Sequence, residues 1–74
     1  MVSVQVFYRS SGKKVSKGTK VSVAFKGLLR GHATEYTDGN GTAHFNADPG
    51  SGDVFVSGKK VYTGSIKGLV RVYV

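Results

Sequence analysis

The chain has no cysteine, one proline and only four acidic residues among 74. Without cysteine there is no disulfide to staple the fold, which fits a reducing compartment. The amino terminus, Met1-Val2-Ser3-Val4-Gln5-Val6, lacks a basic segment followed by a long apolar run. It reads as neither a signal peptide nor a membrane span, so a cytoplasmic protein with no membrane insertion is expected. No segment repeats apolar residues at i, i+3 and i+4, which argues against amphipathic helices. Linkers, low-complexity tracts and internal repeats are also missing, so residues 1–74 are expected to form one small domain. A chain this short buries only about 60% of its unfolded surface, and its core has little to spare.

Acidic charge is also confined. The formal charge is +7, and Glu35, Asp38, Asp48 and Asp53 all fall in a stretch devoid of Lys and Arg. Before that stretch come Arg9, Lys13, Lys14, Lys17, Lys20, Lys26 and Arg30; after it come Lys59, Lys60, Lys67 and Arg71. If the fold unites the two ends of the chain, the molecule has a basic side and an acidic side.

What is present is alternation. Val2, Val4 and Val6 alternate with Ser3 and Gln5, and Val21, Val23 and Phe25 with Lys20, Ser22 and Lys26. Ala43, Phe45 and Ala47 alternate with His44 and Asn46, and Val70, Val72 and Val74 with Arg71 and Tyr73. Val54-Phe55-Val56 is apolar on both faces, as in a central strand. Eleven glycines punctuate these runs, and the single proline, Pro49, sits in the loop "DPGSGD". Strands are expected near residues 2–9, 19–27, 31–37, 42–47, 53–57, 60–66 and 69–74. Seven short strands separated by turn signals indicate an all-β, seven-stranded antiparallel sandwich, with an SH3-like or OB barrel as the alternative.

Asp38-Gly39-Asn40-Gly41 holds two of the strongest short hairpin signals, Asp-Gly and Asn-Gly, and reads as a structural turn. An even-length loop would place Tyr36 inward with Ala43 and Phe45, and would leave Glu35 and His44 as an exposed pair. The stretch "TDGNGTAHF" resembles the Thr-Asp-x-x-Gly hairpin of carboxypeptidase regulatory-like, transthyretin-like (prealbumin-like) β-sandwiches, and bacterial immunoglobulin-like adhesin modules carry a similar hairpin. "GKKVSKGTKVSVAF", with Val15, Gly18, Val21 and Val23, is similar to the approach to their second strand. "GSGDVFVSGKKVYTG" looks like a later strand and its turn. The resemblance spans residues 12–66 and implies a structural or presenting module with no catalytic residue. The strong positive charge departs from that pattern and gives electrostatics more weight.

Chemistry-bearing residues are few. His32, Glu35, Asp38 and His44 could supply metal ligands. The hairpin parity, however, puts His32 inward with Tyr36 and His44 outward, so no metal is expected. Asp38-x-Asn40 has the spacing of a calcium loop, but its twelfth position is Pro49 where a bidentate acid is needed. Serine, histidine and carboxylate are all present, yet no G-x-S-x-G frames a serine. Gly50-Ser51-Gly52 precedes no helix that could cradle a phosphate.

The expectation is therefore a non-enzymatic, cofactor-free module for protein interaction or structure, with an unknown protein partner. The alternative is a salt-dependent nucleic-acid or polyanion binder using Lys20, Lys26, Arg71 and Tyr73, with Phe7 beside them. Lys13, Lys14, Lys17, Lys59 and Lys60 read as solubilising turn residues. The closing "LVRVYV" is expected inside a sheet with Val70, Val72 and Val74 on the core. Alternatively it is an edge that pairs with a second copy as a weak homodimer, the protein otherwise being a monomer.

Overall fold

A computed structural model describes residues 1–27 and 31–74; Leu28, Leu29 and the basic Arg30 lie outside the described residues. Seven strands follow one another: β1 (Val2–Phe7), β2 (Lys20–Phe25), β3 (His32–Tyr36), β4 (Thr42–Phe45), β5 (Gly50–Val56), β6 (Lys59–Ile66) and β7 (Leu69–Tyr73). They form a three-stranded sheet in the order β4-β1-β7 and a four-stranded sheet in the order β3-β2-β5-β6. The fold is an all-β sandwich of the expected class. All pairings are antiparallel except β1 with β7, which run parallel.

The alternating valines explain the layering. Val2, Val4 and Val6 of β1 and Val70 and Val72 of β7 turn inward from one sheet, and Val21, Val23, Val54 and Val56 from the other. Phe45 and Ile66 are the largest fully buried side chains. A core made mostly of valine suits a small sandwich, because β-branched side chains lose little rotamer freedom on an extended backbone. Each apolar side chain removed from water contributes about 1.5–3 kcal/mol, an upper bound set by a fully extended reference.

Every odd-numbered strand finishes at the same end of the sandwich, and every even-numbered strand starts there. We call this the upper end. It carries the 8–19 loop, the turn after Tyr36, the tight β5–β6 turn and the end of β7. That β5–β6 turn is Ser57-Gly58, with φ of 51° and 85°. Two consecutive positive φ values define the type I′ turn that matches the twist of a hairpin. A bulge between Val54 and Phe55 then shifts the register, so that Val56 pairs with Lys59, Phe55 with Lys60 and Val54 with Tyr62.

Three sequence expectations fail here. Asp38–Gly41 is a tight turn, Gly41 N–H donating to Asp38 O at 3.0 Å, but its two flanking strands lie in different sheets. Tyr36 therefore pairs with Lys20 rather than facing Ala43, and it is 61% exposed. Glu35 pairs with Val21 and His44 with Ser3, so these two form no cross-hairpin pair. The turn signals are the same whether the strands pair or splay into two layers. Finally, β7 is an edge strand bonded only to β1. Val70 and Val72 are core residues as expected, but Val74 is exposed. Parallel docking on β1 fills the sheet on one side only, and nothing pairs on the other side among the described residues.

No helix among the described residues is long and apolar enough to cross a membrane.

Candidate functional site

The fold collects charge at the upper end. Arg9, Lys13, Lys14 and Lys17 lie on the β1–β2 loop, Lys20 opens β2, and Lys59 and Lys60 open β6. Residues far apart in sequence meet because both basic segments flank strand ends on the same side of the sandwich. None of these seven cations forms an ion pair among the described residues, where the one such pair is His44 with Asp38.

A cleft of about 520 Å³ opens within this end, lined by Tyr8, Arg9, Val15, Thr19, Val56, Ser57, Lys59, Lys60, Val61, Tyr73 and Val74. Its size falls in the range of small-ligand sites, about 300–1,000 Å³. Local structure accounts for each wall. The β1–β2 loop folds back on its own strand: Tyr8 N–H donates to Lys13 O at 2.8 Å, Val15 N–H to Val6 O at 3.0 Å, and Gly12 N–H to Tyr8 O at 2.7 Å. This fixes the backbone on either side of Tyr8 and Arg9. The tight β5–β6 turn forms the opposite wall, with Ser57 N–H bonded to Lys20 O at 3.0 Å. Register pairs Lys59 with inward-facing Val56, so its side chain leaves from the inner face where the sheets part. Tyr73 stacks on Phe7 with ring centroids 5.5 Å apart and 26° between planes.

The residues singled out from the sequence separate. Tyr73 lines the cleft, and Lys20 stands at the same end. Lys26 lies at the lower end, where it helps hold down the Asp53 carboxyl. Asp53 sits below the ordinary aspartate value chiefly through a hydrogen bond from the Thr63 side chain, with Lys60 and Lys26 adding charge attraction. Arg71 projects from the outer face of the three-stranded sheet, while Lys20 and Lys26 follow the outer face of the other. The structure thus does not bring Lys20, Lys26 and Arg71 together. Lys59 and Lys60 read from the sequence as solubilising turn residues, yet they line the cleft. Tyr8 and Arg9 carry no site reading there, although a cation next to an aromatic at a strand end is a readable signal.

A second cluster lies on the outer face of the three-stranded sheet. Ser3 Oγ is 2.9 Å from His44 Nδ1, and His44 Nε2 is 3.2 Å from Asp38 Oδ2. Asp38 Oδ1 accepts from the backbone N–H of Asn40 at 2.8 Å and of Thr42 at 3.2 Å. These backbone donors, and then His44, keep the Asp38 carboxyl below its ordinary value. Serine, histidine and aspartate thus meet without any motif around the serine, with the His44 and Asp38 side chains about half exposed. His32, expected inward with Tyr36, instead pairs with Ala24 on the outer face of the other sheet, because its neighbour Ala33 takes the inward place opposite Val23. The two histidines sit on opposite sides of the molecule. Among the described residues no three His, Cys, Asp or Glu side chains cluster as metal ligands would.

A scan against protein-family models and searches of curated proteins and of solved structures found no match to this chain.

Proposed function

We propose that this chain is a non-enzymatic β-sandwich binding module whose upper end takes a polyanion. The observation that carries the reading is the gathering of seven cations at one end of the sandwich, where three of them, Arg9, Lys59 and Lys60, line a cleft. Clustered cations leave a positive potential to be met by an incoming anion, and their neutralisation releases counterions. Kinship with transthyretin-like, carboxypeptidase regulatory-like modules belongs to the same proposal. Supporting it are the two-sheet architecture and the positive φ of Gly18 and Gly41, glycines of the resembling segments. A cytoplasmic location goes with it, supported by the lack of cysteine.

The test is retention on immobilised heparin. Lys59→Glu with Lys60→Glu should elute at markedly lower salt than Lys26→Glu with Lys67→Glu, the same charge change at the lower end. Equal shifts would mean that net charge alone is read, with no site.

A second reading has its own observation. β7 is a free edge, with Leu69 and Tyr73 each about half exposed. An unpaired edge invites a further strand, from a protein partner or a second copy. Only Arg71 opposes this within the strand. Sedimentation of the Arg71→Val variant should then show dimers where the parent is monomeric.

A further inference from the structure

We infer that the upper cleft holds a base of a single-stranded nucleic acid, with the neighbouring phosphates on Arg9, Lys59 and Lys60. This deepens the polyanion reading and rests on it. A polyanion made only of charge, such as polyphosphate or a sulfated sugar, has no use for the interior of this cleft. That lining is largely aliphatic and aromatic: Val15, Val56, Val61 and Val74 with Tyr8 and Tyr73, the Tyr73 ring stacking on Phe7 at the outer face of the three-stranded sheet. Tyr8 is 42% and Tyr73 47% exposed, so both present aromatic surface that a flat partner can cover. Tyr73 remains half exposed although one side of its ring is committed to Phe7. The stack fixes its orientation in advance, so little freedom is lost when another plane docks.

The ligand that fits has a flat apolar face and an anion in every repeating unit, and that description belongs to a nucleic-acid strand. Base stacking on aromatic side chains beside a cationic track is the general chemistry of strand binding without sequence preference. An acidic peptide supplies charge but places no plane next to each charge. A duplex keeps its bases stacked inside, and drawing one out costs several-fold to many-fold in affinity. A single strand has no such cost. Ser57 also lines the cleft, and its hydroxyl offers hydrogen bonds to base edges or sugar.

The experiment measures binding of the full chain to three fluorescent probes at fixed salt: a thymidine 12-mer, the same strand made of abasic units, and a 12-base-pair duplex. Heparin retention is followed in parallel. The thymidine strand should bind about tenfold more tightly than the abasic strand, in line with a stacked base, and more tightly than the duplex. Tyr8→Leu should remove most of that tenfold advantage, and Tyr8→Phe should keep it. Equal affinity for the thymidine and abasic strands, tighter duplex binding, or a Tyr8→Leu protein that keeps the full preference would overturn the inference while leaving the polyanion reading in place. Loss of heparin retention by the parent protein itself would instead remove the polyanion reading beneath it.

Discussion

Ser3 on β1 and His44 on β4 face each other across the sheet, and their hydrogen bond continues through the imidazole to Asp38. The chain joins the turn between the two layers to the first strand. Because His44 and Asp38 stand largely in water, 54% and 42% exposed, the contact is screened and adds little. His44→Ala should leave the melting temperature nearly unchanged.

Asp38 matters more for its backbone contacts, and it predicts a pH effect of definite sign. Its folded pKa lies below the ordinary 3.8, so the native state binds protons less readily than the unfolded chain. The resulting stability is fully present above pH 3.8 and is lost as pH falls through the lower folded value. Thermal melts of Asp38→Asn should show a shallower loss of stability on acidification below pH 4 than the parent. An identical acid limb in both proteins would contradict this account of the turn.

The two glycines of that turn are not equivalent. Gly41 has φ of 68°, and a Cβ there would lie 3.1 Å from both the Lys14 Cβ and the Val6 carbonyl oxygen. Gly39 has open space and no positive φ. Gly41→Val should cost about 1–2 kcal/mol for the left-handed backbone alone, and more for the crowding. Gly39→Ala should be close to neutral. Denaturant unfolding of the two variants compares them directly.

Gly52 is held by a close approach instead. Its inward Cβ would overlap the Ala24 carbonyl oxygen and lie 3.0 Å from the Phe25 Cα. The backbone of β2 cannot yield as a flexible side chain would, so Gly52→Ala should cost about 3 kcal/mol or abolish folding. An unfolding midpoint equal to the parent's would show that β2 and β5 are not paired in this register.

Ser57 is the reverse case, a residue carrying strain that a better one relieves. At φ 51° it occupies the first position of the β5–β6 turn, where asparagine is preferred before glycine. Ser57→Asn should stabilise by about 0.5–1 kcal/mol. Ser57 also lines the cleft, and strained backbone tends to gather at working sites.

Much of this fold is legible in the sequence. Val2-x-Val4-x-Val6 and Val21-x-Val23 each define an inner face without reference to any partner, and the Ser57-Gly58 turn falls between two clear runs. Two features are not legible. Alternation tells which face of a strand is buried but not how many neighbours it has, so β7 reads alike as edge or centre. Turn chemistry at Asp38–Gly41 fixes a reversal of direction but not the sheet that the chain returns to, which is why Tyr36 reads as a core residue. The cleft depends on both. Its walls come from the β1–β2 loop, the β5–β6 turn and the end of β7, and only the three-dimensional pairing brings these together. Reading each strand singly grouped Lys20, Lys26 and Arg71, which the two sheets then point in different directions.

The central claim is that the upper end, and not the charge of the whole molecule, receives the anion. The most direct measurement is a titration of the 15N-labelled protein with a short heparin fragment, followed by amide chemical shifts. Gly12, Gly18 and Gly58 mark the upper end, and Gly50 and Gly68 the lower. The account predicts saturable shifts at the first three and at Tyr8, Arg9 and Lys59, with Gly50 and Gly68 unmoved. Small shifts of similar size at both ends, or the largest shifts around Lys26 and Lys67, would contradict it.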